Sequence, residues 1–175
     1  MSFETIVAAG PRSALPHGVA SQARLPRRGF VVLDYGVILN GYCSDMTRTV
    51  CSGRATSEQR RVYAAVLESQ LAAIASVAPG RSAGEVDEAA RAVLREAGLD
   101  RQFLHSTGHG VGLEIHELPR VAARQKDLLQ PGMVITIEPG VYFGGKYGVR
   151  IEDMVLVTER GSEVLTRAPK ELLEL

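Results

Sequence analysis

The spacing of apolar and polar positions changes several times along the chain, and each change marks an element. Residues 3 to 10, Phe-Glu-Thr-Ile-Val-Ala-Ala-Gly, read as a short strand, and a Pro-containing loop follows from Gly10 to His17. Beyond a polar stretch to Arg28, Gly29 to Val50 carries the Val- and Leu-rich runs and the Asn40-Gly41 turn of an antiparallel meander. That meander sets Asp34 and Asp45 facing each other across neighbouring strands. The period then lengthens to that of helices. Thr56 with Gln59 forms a capping box ahead of apolar positions at Val62, Val66, Leu67, Leu71 and Ile74, and Pro79-Gly80 stops the run. Ser82 with Glu85 repeats the device before Val86, Ala90, Val93 and Ala97, and Gly98 ends the second helix. Pro131-Gly132 later turns the chain into Met133 to Glu138, and the Gly144 to Gly148 turn leads back through Val149 to Glu152 and Met154 to Val157. A second hairpin therefore presents Glu138 and Glu152.

Strands, a helix pair and further strands predict an α+β fold, a mixed and mainly antiparallel sheet covered by helices on one face. The second carboxylate hairpin has helices before it and the first has none, so the chain is expected to begin in mid-domain, with apolar sheet surface left bare. A chain of 175 residues with 45% apolar content forms one domain over residues 1 to 175. Lys plus Arg equals Asp plus Glu at 20 each, which excludes the net field that would draw it to nucleic acid or an anionic membrane. Apolar stretches such as Leu71 to Ala78 are far short of a membrane span, and the opening Met-Ser-Phe-Glu-Thr is no secretory leader, so a cytoplasmic location is expected. The two cysteines, Cys43 and Cys51, fit a reducing compartment, and Cys43 reads as a small buried apolar side chain.

Candidate chemistry concentrates at His105-Ser-Thr-Gly-His-Gly-Val-Gly-Leu-Glu-Ile-His116-Glu, which holds three of the four histidines. Glycines on both sides of His109 read as room for backbone near a ligand, though a tight turn would use them too. Asp34 and Asp45 precede this block, and Glu138 and Glu152 follow it. Four carboxylates gathered around one point would repel each other and raise their own pKa values, a conflict that cations resolve. Two divalent ions would match Asp34, Asp45, Glu138 and Glu152, with His109 adding one nitrogen ligand. A two-metal site can lower the pKa of a bridging water to yield hydroxide near neutral pH while polarising a carbonyl, so the chemistry implied is hydrolysis. No His-Glu-x-x-His is present, and the glycines are not framed as a dinucleotide loop.

In this order the motifs closely resemble the pita-bread metallopeptidases, and within them the Xaa-Pro branch of aminopeptidase P and prolidase. The matching segments are Ala-Leu-Pro-His17, Leu-Asp34-Tyr-Gly, Gly-Tyr-Cys-Ser-Asp45-Met-Thr-Arg-Thr, the 105 to 117 block, Thr-Ile-Glu138-Pro-Gly and Val-Arg150-Ile-Glu152-Asp. The resemblance implies a pita-bread fold and a dinuclear centre held by Asp34, Asp45, His109, Glu138 and Glu152, with Asp45 and Glu152 bridging. It implies manganese as the usual activator, with cobalt or zinc as other choices. By the same resemblance Glu138 handles the proton of the bridging water, and His17 and His116 contact substrate and stabilise the tetrahedral intermediate. His105 and Arg150 resemble supporting residues on the proline side of the pocket. The expected substrates are peptides with proline at the second position, and a homo-oligomer is expected. Methionine-type aminopeptidases and non-catalytic peptide-binding relatives share the scaffold and stand as alternatives. The family normally carries a separate amino-terminal domain and opening helices. This chain has neither, so a partial catalytic domain with weaker activity than a longer relative is the expectation.

Overall fold

The computed structural model describes residues 1 to 175. Strand β1 (Ile6–Ala9) leads through a 3-10 turn (Gly10–Ala14) and the His17 loop into β2 (Gly29–Tyr35). A short hairpin, β3 (Ile38–Leu39) and β4 (Tyr42–Cys43), separates β2 from β5 (Met46–Ser52). Helices α1 (Ser57–Ser76) and α2 (Ala83–Glu96) follow, then β6 (Gly108–Gly110), β7 (Glu117–Val121), β8 (Val134–Ile137), β9 (Gly140–Phe143), β10 (Tyr147–Arg150), β11 (Asp153–Val157) and β12 (Ser162–Val164). Several ladders replace the continuous sheet expected: β1-β2-β5, β12-β11-β8-β6-β7, and the hairpins β9-β10 and β3-β4. The pairs between these strands are antiparallel.

Both helices begin with the expected capping boxes, each cap side chain accepting from the N3 backbone while the N3 side chain returns to the cap N–H. The buried stripe of α1 differs from the apolar pattern. Leu71 is 49% exposed, while Ser69 and Gln70 are fully buried. Their polar atoms are satisfied there: Ser69 Oγ donates to the Ala90 carbonyl at 2.9 Å and Gln70 Nε2 to Asp153 Oδ2 at 2.8 Å. On α2 the buried positions are Ala83, Val86, Asp87, Ala90 and Leu94, and Ala97 is exposed at the helix end. Both helices pack with Phe30, Ile135, Ile137, Val149, Ile151 and Val155 into one apolar cluster that joins the two larger sheets.

The sheet face expected to be bare is partly covered: Val31 and Val50 are 4% and 8% exposed, whereas Val7, Ala9 and Leu33 on the same face are half-buried. Exposed apolar side chains gather instead around β3 and β4, at Tyr35, Val37, Ile38, Leu39 and Tyr42. Cys43 is half-buried there, with Sγ turned to the Leu113 carbonyl, and Cys51 is the fully buried thiol. The last residues form a strap along the β5 edge: Cys51 N donates to Leu173 O at 2.8 Å, and Leu175 N returns to Cys51 O at 2.9 Å. No helix is long and apolar enough to cross a membrane.

Candidate metal centre

Register brings the four acids together. Asp34 pairs with Thr47 across β2 and β5, so Asp45 is its diagonal neighbour on the same face, two residues away from the direct opposition expected. On the other sheet Ile137 pairs with Asp153, which sets Glu138 and Glu152 just beyond the end of that ladder. The β9-β10 hairpin occupies the chain between them. The histidine block is no single strand. Only Gly108–Gly110 is extended, with a bulge after His109, while His105 precedes it and His116 lies in the turn before β7.

The glycines beside His109 serve packing. A Cβ at Gly108 would lie 1.8 Å from Thr136 O, and one at Gly110 would lie 2.3 Å from Leu118 O. They let neighbouring backbone close in on β6, which replaces the expectation that they clear room near a ligand.

His17, Asp34, Asp45, His105, His109, His116, Glu138, Arg150 and Glu152 all line one cavity of about 720 Å³. Ligand atoms of Asp45, His109 and Glu152 lie within 4.8 Å of one another. His109 Nε2 stands 3.7 Å from Asp45 Oδ2 and 3.5 Å from Glu138 Oε1, too far for hydrogen bonds. Two donors each about 2.1 Å from one ion would be separated by roughly 3 to 4 Å. His109 Nδ1 lies 2.9 Å from the Gly110 carbonyl, and as the donor of that bond it leaves the Nε2 lone pair facing the acids.

Burial makes the cluster costly without cations. Asp45 is pushed up to about 9, first by burial and then by Glu152 and Asp34, and Glu152 is pushed up to about 7 by burial and Asp34. Glu138 is raised well above the usual carboxylate range, again by burial and Glu152. Asp34 is raised by burial against the pull of Arg150, and its Oδ1 is buried with no hydrogen-bond partner. An orphaned carboxylate oxygen among three other strained acids and one imidazole fits a divalent ion with mixed oxygen and nitrogen ligands.

Residues outside the expected set hold these groups. Thr47 Oγ1 donates to Glu152 Oε2 at 2.6 Å and accepts from Arg150 Nε at 3.1 Å. Arg150 is 3% exposed, and its remaining donors reach Asp34 Oδ2, the Tyr142 hydroxyl and the Pro16 carbonyl. It therefore ties the first sheet, the His17 loop and β9 together. His105 Nε2 lies 2.9 Å from the Tyr142 hydroxyl, and burial pushes its pKa down to about 4. His17 and His116 are exposed on the rim, with the His116 ring 4.4 Å from that of His109. Thr47 could have been found from its place two residues after Asp45 on the same strand face. Tyr142 carries no comparable signal in sequence.

A model of metallopeptidase family M24 matches residues 1–159. The chain is similar to the Xaa-Pro dipeptidase of Pyrococcus furiosus, at 51% identity over 172 residues that cover 98% of this chain and 49% of the relative. Among solved structures it resembles the prolidase of Pyrococcus horikoshii, with a TM-score of 0.96 and 49% identity over 98% of this chain and 50% of that one. It also resembles the Xaa-Pro dipeptidase from Bacillus anthracis, with a TM-score of 0.97 and 49% identity over 99% of this chain and 49% of that one. The chain spans about half the length of the curated relatives it matches. The fold is the α+β pita-bread fold of these neighbours.

Proposed function

Since this chain belongs to metallopeptidase family M24, we propose that it is a metal-dependent exopeptidase hydrolysing the Xaa-Pro bond at peptide amino termini. The observation that carries this reading is that four acids and His109 line one cavity, with ligand atoms of Asp45, His109 and Glu152 within 4.8 Å of one another, and that His17, His105 and His116 line the same space. Asp34, Asp45, His109, Glu138 and Glu152 would hold two divalent ions, manganese before cobalt or zinc. When bound, such ions supply an activated water and polarise the scissile carbonyl.

The chain's own groups do the rest. Glu138, whose carboxylate lines the cavity with Oε1 3.5 Å from His109 Nε2, takes a proton from the attacking water and passes it to the departing nitrogen. His116 and His17, on the open rim, donate to the carbonyl oxygen as negative charge develops on it. His105, kept neutral by burial against Tyr142, borders the proline side with Arg150 behind it. Arg120 is exposed, lines the same cavity and has no ion-pair partner, so it can receive the free carboxylate of a dipeptide. This favours Xaa-Pro dipeptides over longer peptides. The Xaa-Pro names of the relatives weigh against the methionine-type and non-catalytic alternatives.

A cytoplasmic location fits the two free thiols, and self-association fits the exposed apolar side chains from Tyr35 to Tyr42. The direct test compares manganese-loaded protein on an Xaa-Pro dipeptide, an Xaa-Pro-Xaa tripeptide and Met-Ala. Preference for the first supports the proposal. Preference for Met-Ala, or no hydrolysis of any of the three, contradicts it.

A further inference from the structure

Asp153 follows Glu152 and points to the opposite side of the chain, into a buried charged cluster that the proposed chemistry does not use. Arg48 is at its centre with all five N–H groups engaged. Its Nε donates to Pro169 O at 2.9 Å, Nη1 to Thr47 O at 2.9 Å and Glu152 O at 2.6 Å, and Nη2 to Asp153 Oδ1 at 2.7 Å and Ala168 O at 2.8 Å. Asp153 Oδ2 accepts from Gln70 Nε2 and pairs with Lys170 Nζ, which also donates to Gln70 Oε1 at 3.1 Å. Four parts of the chain meet here: β5, β11, α1 and the C-terminal strap.

The consequence falls on Glu152. Its N–H donates to Thr47 O at 3.1 Å, its carbonyl accepts from Arg48, and its carboxylate accepts from Thr47 Oγ1. Every polar group of Glu152 named here is thus held by Thr47 or Arg48, on the strand that begins one residue after Asp45. Arg48 cannot keep this geometry alone, because two of its donors end on strap carbonyls and its carboxylate partner is shared with Lys170. The strap lies beyond residues 1–159, the span matched by the family model.

We infer that Arg48, Asp153 and Lys170 are positioning residues that fix Glu152 against Asp45, so that the C-terminal strap sets the affinity of the metal centre. This rests on the metallopeptidase reading. A cluster that only stabilised the fold would lower the melting temperature and leave ion affinity alone, whereas a positioning cluster changes affinity in folded protein.

The test is calorimetric titration of the chelator-treated full chain with Mn²⁺, well below the melting temperature, for wild type, Arg48→Lys, Lys170→Met and Leu94→Ala. Leu94 is fully buried in the apolar cluster and absent from the charged one, so its variant controls for destabilisation. Lys170 is on the partly exposed strap, so its variant keeps the test open should Arg48→Lys not fold. Both cluster variants should bind Mn²⁺ at least about tenfold more weakly, with Leu94→Ala close to wild type. Wild-type affinity in Lys170→Met, or an equal loss in Leu94→Ala, overturns the inference while leaving the metallopeptidase reading in place. A wild-type chain that binds no Mn²⁺ overturns both.

Discussion

Thr47 Oγ1 donates a 2.6 Å hydrogen bond to Glu152 Oε2, joining the two sheets that carry the candidate ligands. Thr47 is fully buried, and Arg150 Nε donates to the same oxygen, so Thr47→Val strips a partner from both residues at once. Loss of such a bond costs about 1 to 3 kcal/mol where the groups stay buried, and loss of a ligand's support weakens metal binding about 10- to 100-fold. Thr47→Val should show both effects by thermal melting and Mn²⁺ titration. Thr47→Ser should recover most of the affinity.

Ion uptake should release protons. Without ions, burial and the repulsion of neighbouring carboxylates push Asp45 up to about 9 and Glu152 up to about 7, so the pair still holds protons at pH 7. These acids have folded-state pKa values above their unfolded ones, so the stability of the ion-free protein falls as pH rises from about 4 through 9, and bound cations offset that loss. Mn²⁺ titrations at pH 7 in two buffers of different ionisation enthalpy should give different apparent heats. Equal heats would show that no proton leaves.

His105 predicts a dependence of opposite sign. Its folded pKa is about 4 against an ordinary 6.5, so the folded protein binds that proton more weakly. The associated stability is complete above pH 6.5 and is lost as pH falls through 4. His109 behaves alike in ion-free protein. His105→Gln should therefore take about one proton's worth out of the dependence of stability on pH between 6.5 and 4, relative to wild type in the same state of metal loading, as read by urea denaturation at a series of pH values.

Gly108→Ala should displace β6. The added Cβ would meet the backbone oxygen of Thr136, which pairing fixes within the five-stranded sheet, so the strand must move and carry His109 with it. A loss of about 1 to 3 kcal/mol or more is expected, together with weaker metal binding. Gly145→Ala tests specificity of the effect: it has open space around it and strain only from a φ of +72°, and it should leave metal affinity unchanged.

Local rules carried much of this fold. The capping boxes at Thr56 and Ser82 mark both helix starts, and the apolar runs leading to Asp34 and Glu138 mark β2 and β8. What local pattern missed depends on distant partners. Gln70 reads as a solvated helix position until Asp153 and Lys170 bring it hydrogen bonds from 83 and 100 residues away. Of the β9-β10 hairpin, the Gly144 to Gly148 turn and the return strand were legible, whereas the outgoing strand Gly140–Phe143 was not, because it follows Pro139 and reads as part of a turn. The nine expected site residues share one cavity because glycine, acid and histidine spacings are constrained by chemistry as well as by packing. Their supports, Thr47, Tyr142 and Arg48, are ordinary residue types whose roles exist only in three dimensions.

In the proposed function Asp34, Asp45, His109, Glu138 and Glu152 form one centre for two divalent ions used in hydrolysis. The most direct measurement is the manganese content of the purified chain and of Glu152→Ala after equilibration with Mn²⁺ and removal of free ion. Two ions per wild-type chain, with loss of ions and of Xaa-Pro hydrolysis in the folded variant, is the predicted result. A folded wild-type chain that retains no ion, or a Glu152→Ala variant that keeps both, would contradict it.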